Sequence, residues 1–258
     1  MLILYNLNIL LIGNSYTNYN TMMNALKGVI ENEGIKVNIV KVSYGSQYLY
    51  DYVEGPQGDY YKQVKDAVAK KDFDIVFLQD QSTNPAENPA NFYDNVRKLY
   101  DFFTNLGTTC ILYETWTRKG GFSSKGWSEY EMAQRLCASY TAIGEELGIK
   151  VSHCGTAVYN IMTNYKDIPT HNDDNSHPST YTSYVVALCH YASIYGRSPI
   201  GINYKYNDYI NDPSITWHSS NERVEITDDI QKVLYDIFND TYKLFFHLCT
   251  SHHHFLQH

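Results

Sequence analysis

Five short aliphatic and β-branched runs, each followed by a longer amphipathic stretch, constrain the fold of this chain more than any other feature. The runs occupy 8–12, 36–42, 74–78, 109–113 and 149–153. They are apolar almost throughout, as a strand buried on both faces requires. Helical periods fill 21–33, 60–70, 89–106 and 129–147, with 179–195 and 228–248 beyond the last strand. Strands alternating with helices predict a five-stranded parallel sheet covered on both faces. Right-handed crossovers then wind it doubly. Gly34, Gly107 and Gly148 stand where C-terminal caps are expected, and Pro178 where a first-turn proline would open the helix at 179–195.

The 258 residues suit a single α/β domain. Its expected core runs from about residue 5 to 200, followed by a surface-wrapping segment over 204–223, a closing helix and a tail at 251–258. The stretch 118–127, with Gly120, Gly121 and Gly126, reads as a mobile loop. Against 28 acidic residues stand 20 basic ones, which argues against a nucleic-acid partner. No apolar run is long enough to span a bilayer. The start, 1–12, lacks the basic stretch and cleavage site of a leader and reads as a strand. Cys110, Cys137, Cys154, Cys189 and Cys249 show no CxxC spacing, so they are expected to be small buried hydrophobes. The expected setting is reducing and cytoplasmic for the sequence as given, and secreted or periplasmic for a chain from which a leader has been removed. Neither a GxGxxG nor a P-loop follows the first strand, and no metal-ligand spacing appears near the strand ends. No cofactor and no metal are expected. The histidines of the tail are read as a chain end.

Ligands of an open parallel sheet bind at the carboxyl ends of its strands. Past the first strand comes Gly13-Asn14-Ser15, which places a hydroxyl nucleophile at a strand-to-helix turn. Past the second comes Gly45, whose N–H can approach a ligand oxyanion. Past the third comes Gln79-Asp80-Gln81-Ser82, where either amide can donate to the same oxygen. The segment from His171 to Pro178 follows the last strand and precedes a helix. In it Asp174 stands three residues before His177, close enough to hold one ring nitrogen while the other faces the serine.

Gly13-Asn14-Ser15, Gly45, the 74–82 stretch and Asp174-x-x-His177 resemble, in order and spacing, blocks I, II, III and V of the SGNH/GDSL hydrolases. The resemblance extends to about Gly196 and is nearest to the DUF4886-like bacterial branch, whose third block also reads Leu-Gln-acid-Gln-Ser. It implies a flavodoxin-like three-layer α/β/α fold, Ser15 as nucleophile, His177 as base and Asp174 as its orienter. It also implies an oxyanion hole from the N–H groups of Ser15 and Gly45 plus one amide side chain. Block III departs from the usual Gly-x-Asn-Asp, and Gln81 stands in for the asparagine, with Gln79 as the alternative. The Gly-x-Ser-x-Gly elbow of α/β-hydrolases is absent.

These residues predict hydrolysis of a carboxylic ester through an acyl-enzyme, with activity falling as His177 takes up a proton. Tyr16, Tyr19, Tyr44, Tyr48, Trp116 and Trp127 lie in or after strand-end loops. Such aromatics suit stacking on a sugar face, and with Asn14 they make a carbohydrate O-acyl ester, an acetyl ester foremost, the expected substrate. The alternatives are a non-catalytic carbohydrate-binding domain of the same fold and a lipase or thioesterase. A lipase would want a broad apolar patch, which the sequence does not show.

Overall fold

The computed structural model describes residues 6–56 and 58–202, together with Tyr204, Lys232 and Asp236. The strands are β1 (Asn6–Gly13), β2 (Lys36–Ser43), β3 (Ile75–Leu78), β4 (Thr109–Tyr113) and β5 (Lys150–Ser152). All pair in parallel, in the order β2-β1-β3-β4-β5. The chain steps outward from β1 to β2 and then returns to the other side of β1 for β3. The carboxyl ends of β1 and β3 therefore flank the switch point, where the crossover loops part and leave a crevice.

Strand β2, at the sheet edge, buries only Val37 and Val42 and carries Lys36, Asn38 and Lys41, so the expectation of burial on both faces does not hold there. Strand β1 shows why its own run is apolar almost throughout. Successive side chains point to opposite faces. Ile9 and Leu11 join the core that holds Leu26 and Val29 of α2 (Met22–Glu31) and Val185 and Leu188 of α8 (Thr180–Tyr195). Leu10 and Ile12 join the opposite core, with Val64 of α3 (Tyr61–Lys70), Val96 and Phe103 of α5 (Pro89–Thr104), and Ile143 of α6 (Glu129–Leu147). This is the expected three-layer α/β/α arrangement.

Several expectations need correction. Helix α2 starts at Met22, because the chain first makes a one-turn helix, α1 (Ser15–Asn18), and a tight turn at Tyr19–Thr21. A further turn of helix, α4 (Asn84–Glu87), precedes α5. Helix α7 (Cys154–Asn164) is additional and begins two residues after β5. The 171–178 segment therefore hangs between α7 and α8 and does not follow the last strand directly. Pro178 lies outside α8. The cap is Ser179, whose side chain accepts from Thr182 N–H, and the Pro178 carbonyl instead accepts from Asn20. The 118–127 stretch is closed by a bridge between Phe122 and Trp127 rather than left loose.

Cys110, Cys154 and Cys189 are buried free thiols, as expected, but Cys137 is disulfide-bonded, with a partner outside the described residues. Of the expected closing helix only Lys232 and Asp236 are described, both helical and exposed. The wrapping segment, apart from Tyr204, and the tail lie outside the described residues. No helix among the described residues is long and apolar enough to cross a membrane.

Candidate active site

Three loops meet at the switch point. The first follows β1, and Gly13 permits its close approach to β3. A Cβ at Gly13 would lie 2.4 Å from Gln79 Oε1 and 2.5 Å from Thr17 Oγ1. Gln79 Oε1 accepts from Asn14 N–H at 3.0 Å and from Thr17 Oγ1 at 2.8 Å. Its Nε2 donates to Asn14 Oδ1 at 2.8 Å and to the Asp80 carbonyl. Both amide hydrogens of Gln79 are thus engaged inside the protein, and it has none left for an oxyanion. Asn14 is equally occupied. Its Oδ1 also accepts from Tyr16 N–H, and its Nδ2 donates to the carbonyls of Gln47 and Asp80. It shapes the Ser15 turn and is not available as a substrate contact, contrary to expectation.

The second loop follows β3. Asp80 is fully buried and accepts from Leu49 N–H at 2.8 Å, Gln81 N–H at 2.7 Å and Asn84 Nδ2 at 2.7 Å. Burial pushes its carboxyl up to about 6, against the lowering effect of those hydrogen bonds. Gln81 Oε1 accepts from the N–H groups of Thr83 and Asn84 and from Thr83 Oγ1. Its oxygen is fixed by the turn that opens α4, while its Nε2 has no acceptor among the described residues.

The third loop carries Asp174 and His177. Asp174 Oδ1 accepts from the N–H groups of Ser176 and His177, each at 2.9 Å, around a left-handed Asn175. Its Oδ2 bonds His177 Nδ1, and His177 Nε2 lies 2.8 Å from Ser15 Oγ. The carboxylate can only accept, so Nδ1 carries the proton and Nε2 accepts from the serine hydroxyl. Burial acts to raise the Asp174 pKa. The His177 hydrogen bond, the two backbone N–H groups and the imidazole charge outweigh it, and the net shift is downward. A hydroxyl and an imidazole 162 residues apart in sequence are thereby brought into line, with the carboxylate behind.

Aromatic packing sets the height of this loop. Tyr16 is buried and stacks on Trp116, with ring centroids 4.1 Å apart, and its hydroxyl lies 2.9 Å from Ser176 Oγ. Trp116 is fully buried and donates from Nε1 to the Ser176 carbonyl at 3.0 Å. Both were expected to face substrate. They instead support the base loop from beneath, because a strand-end aromatic can fill a loop's underside as readily as it lines a cleft. Tyr19 stacks on the His177 ring at 4.2 Å. Asn20 Nδ2 ties this region to α8 through the Pro178 carbonyl and Ser183 Oγ, both at 2.9 Å.

His171 is no second base. Its Nε2 donates to the Thr117 carbonyl at 2.9 Å, its Nδ1 is 2.8 Å from Thr170 Oγ1, and burial lowers its pKa. Ser176 was not singled out from the sequence. It is one polar residue in a polar loop, and only its contacts distinguish it.

Gly45 is exposed, nothing lies within 4 Å of where its Cβ would sit, and its φ is not left-handed. Neither packing nor backbone conformation demands a glycine there. Beside it Tyr44 is 39% exposed and stacks on Tyr60 at 4.2 Å, and Tyr48 stacks on Tyr50 at 4.8 Å. Trp127 packs beneath Arg135, 4.5 Å from its guanidinium, and against Phe122. Elsewhere, ligand atoms of Glu114, Cys137 and His153 lie within 4.8 Å of one another. The sulfur of Cys137 is committed to its disulfide, and Thr156 donates to Glu114 from both N–H and Oγ1, so the cluster lacks the thiolate a metal would take.

No family model and no curated protein matches the chain. Solved structures do. A DUF4886 family protein from Bacteroides uniformis superposes with a TM-score of 0.69 at 16% identity, over 93% of this chain and 95% of that one. A candidate SGNH hydrolase from Slackia heliotrinireducens gives 0.60 at 21%, over 74% and 100%. A catalytic mutant of an acetylxylan esterase from Geobacillus stearothermophilus gives 0.56 at 14%, over 72% and 93%. The chain has the three-layer fold of the SGNH hydrolases.

Proposed function

We propose that this protein is a serine esterase that cleaves a carboxylic ester in two acyl-transfer steps. The observation that carries the reading is the alignment of Ser15 Oγ, the His177 ring and Asp174. Ser15 Oγ attacks the ester carbonyl carbon while His177 Nε2 takes its proton, and Asp174 steadies the imidazolium. The oxyanion rests on the N–H groups of Ser15 and Gly45 and on Gln81 Nε2, the amide whose hydrogens are not spent within the protein. Collapse expels the alcohol, which takes the proton from His177. Water, activated by the same imidazole, then releases the acid and restores Ser15.

The substrate is a carbohydrate O-acyl ester, an acetyl ester foremost. Tyr44 and Tyr48 support this reading, as stacked rings beside the Gly45 N–H that offer flat faces to a sugar ring. The fold shared with an acetylxylan esterase is consistent with it. The test is turnover of p-nitrophenyl acetate together with labelling by a fluorophosphonate. Both are expected in the wild type and absent from Ser15→Ala. Labelling that persists in Ser15→Ala would remove the serine from this role, and a wild type that neither labels nor turns over would favour a carbohydrate-binding domain.

A further inference from the structure

Arg118 lies at the end of the buried stretch that continues β4 through Thr117. Its Nη2 donates to Ser82 Oγ at 3.3 Å, next to Gln81, and its guanidinium lies 5.2 Å from the ring centroid of Phe122. Its charge reaches the phenol of Tyr16, which also lies against Ser176 and Ser82. The following residue, Lys119, donates its N–H to the Asn175 carbonyl at 3.0 Å. Arg118 is thereby held between the oxyanion loop and the base loop.

What the guanidinium lacks is a counter-ion. None of the ion pairs among the described residues includes it, although the chain carries 28 carboxylate side chains to 20 cations. Its Nε is buried without a hydrogen-bond partner. A half-buried guanidinium with one neutral acceptor has lost water and gained little for it. Its planar fork matches a carboxylate. We propose that Arg118 binds a carboxylate-class anion on the ester substrate, so that the enzyme selects acidic esters, such as an acylated acidic sugar, over neutral ones. This rests on the serine-esterase reading and adds a specificity-determining residue to it.

Two matched ester pairs test the proposal in wild type, Arg118→Gln and Arg118→Lys. The acyl side is probed by 4-nitrophenyl hydrogen succinate against 4-nitrophenyl butyrate. The alcohol side is probed by 4-acetoxybenzoate against its methyl ester. Arg118→Gln should lower kcat/KM about tenfold or more for the anionic member of at least one pair, while the neutral members stay within about twofold. Arg118→Lys, keeping the charge but not the fork, should fall between. Equal losses on anionic and neutral members would assign Arg118 a purely structural role and overturn the proposal. So would unchanged rates on all four esters. If Arg118→Gln fails to fold, the Lys variant decides by the same comparison. A wild type that turns over none of the four and takes no fluorophosphonate would overturn the esterase reading itself, and this proposal with it.

Discussion

At the imidazole of His177, one side chain fixes the tautomer and another receives its lone pair. Asp174 holds the Nδ1 proton in place, so Nε2 is free to accept from Ser15. Asp174→Asn can present its amide N–H to Nδ1 and favour the wrong tautomer. That change costs up to about 10⁴ in kcat where the acid is buried. Here the acid side chain is 43% exposed and water can partly replace it. The expected loss in kcat is about 10²–10³, with KM within a few-fold, checked by steady-state kinetics on p-nitrophenyl acetate. The depressed Asp174 pKa also shapes the pH profile. The carboxylate stays ionised below the ordinary aspartate range, so Asp174 should add no proton of its own to the acid limb. The stability this carboxylate lends the fold follows the same sign. It is complete above the unfolded pKa and is lost as pH falls through the lower folded one.

Among the elements, the turn after β1 is the least tolerant of change. Gly13→Ala drives a methyl group into Gln79 and Thr17. It should destabilise the protein by about 1–3 kcal/mol, seen in the urea midpoint, with activity lost as the Ser15 turn shifts. Tyr16→Phe keeps the stack on Trp116 but removes the hydroxyl that meets Ser176. One neutral hydrogen bond is worth about 1 kcal/mol, so kcat should fall about fivefold through a less well-held base loop. Fluorophosphonate labelling should slow in parallel. The strands were legible because parallel strands buried on both sides read as aliphatic runs, and Ser15, Asp174 and His177 because their spacing is distinctive. Helix α7 was not. Its N-cap residue, His153, makes no side-chain cap bond, and Thr156, Ala157 and Val158 are all buried, so it reads as a continuation of β5. The side of a loop that an aromatic faces is set by tertiary packing. Trp116 and Tyr16 were therefore placed in the cleft by sequence and beneath it by structure. Asn14 as a substrate contact, and Gln79 as the alternative to Gln81, do not fit the hydrogen bonds for a related reason. An amide spent within the protein looks the same in sequence as one left for a ligand.

For the molecule as a whole, Asp80 couples the site to stability. The folded protein holds its proton more tightly than the unfolded chain does, with a carboxyl raised from 3.8 to about 6. Such a group favours the fold fully below the unfolded pKa, and this contribution disappears as pH rises through about 6. Relative to Asp80→Asn, the wild type should lose about 2 kcal/mol between pH 4 and pH 7, measured by urea denaturation at each pH. A wild-type curve parallel to that of the variant would show that Asp80 titrates normally. His177, by contrast, is carried by the connection between α7 and α8, which a bridge from His171 to Pro178 pinches shut. Asp174 and His177 therefore travel together inside one clasped loop, apart from the strand ladder.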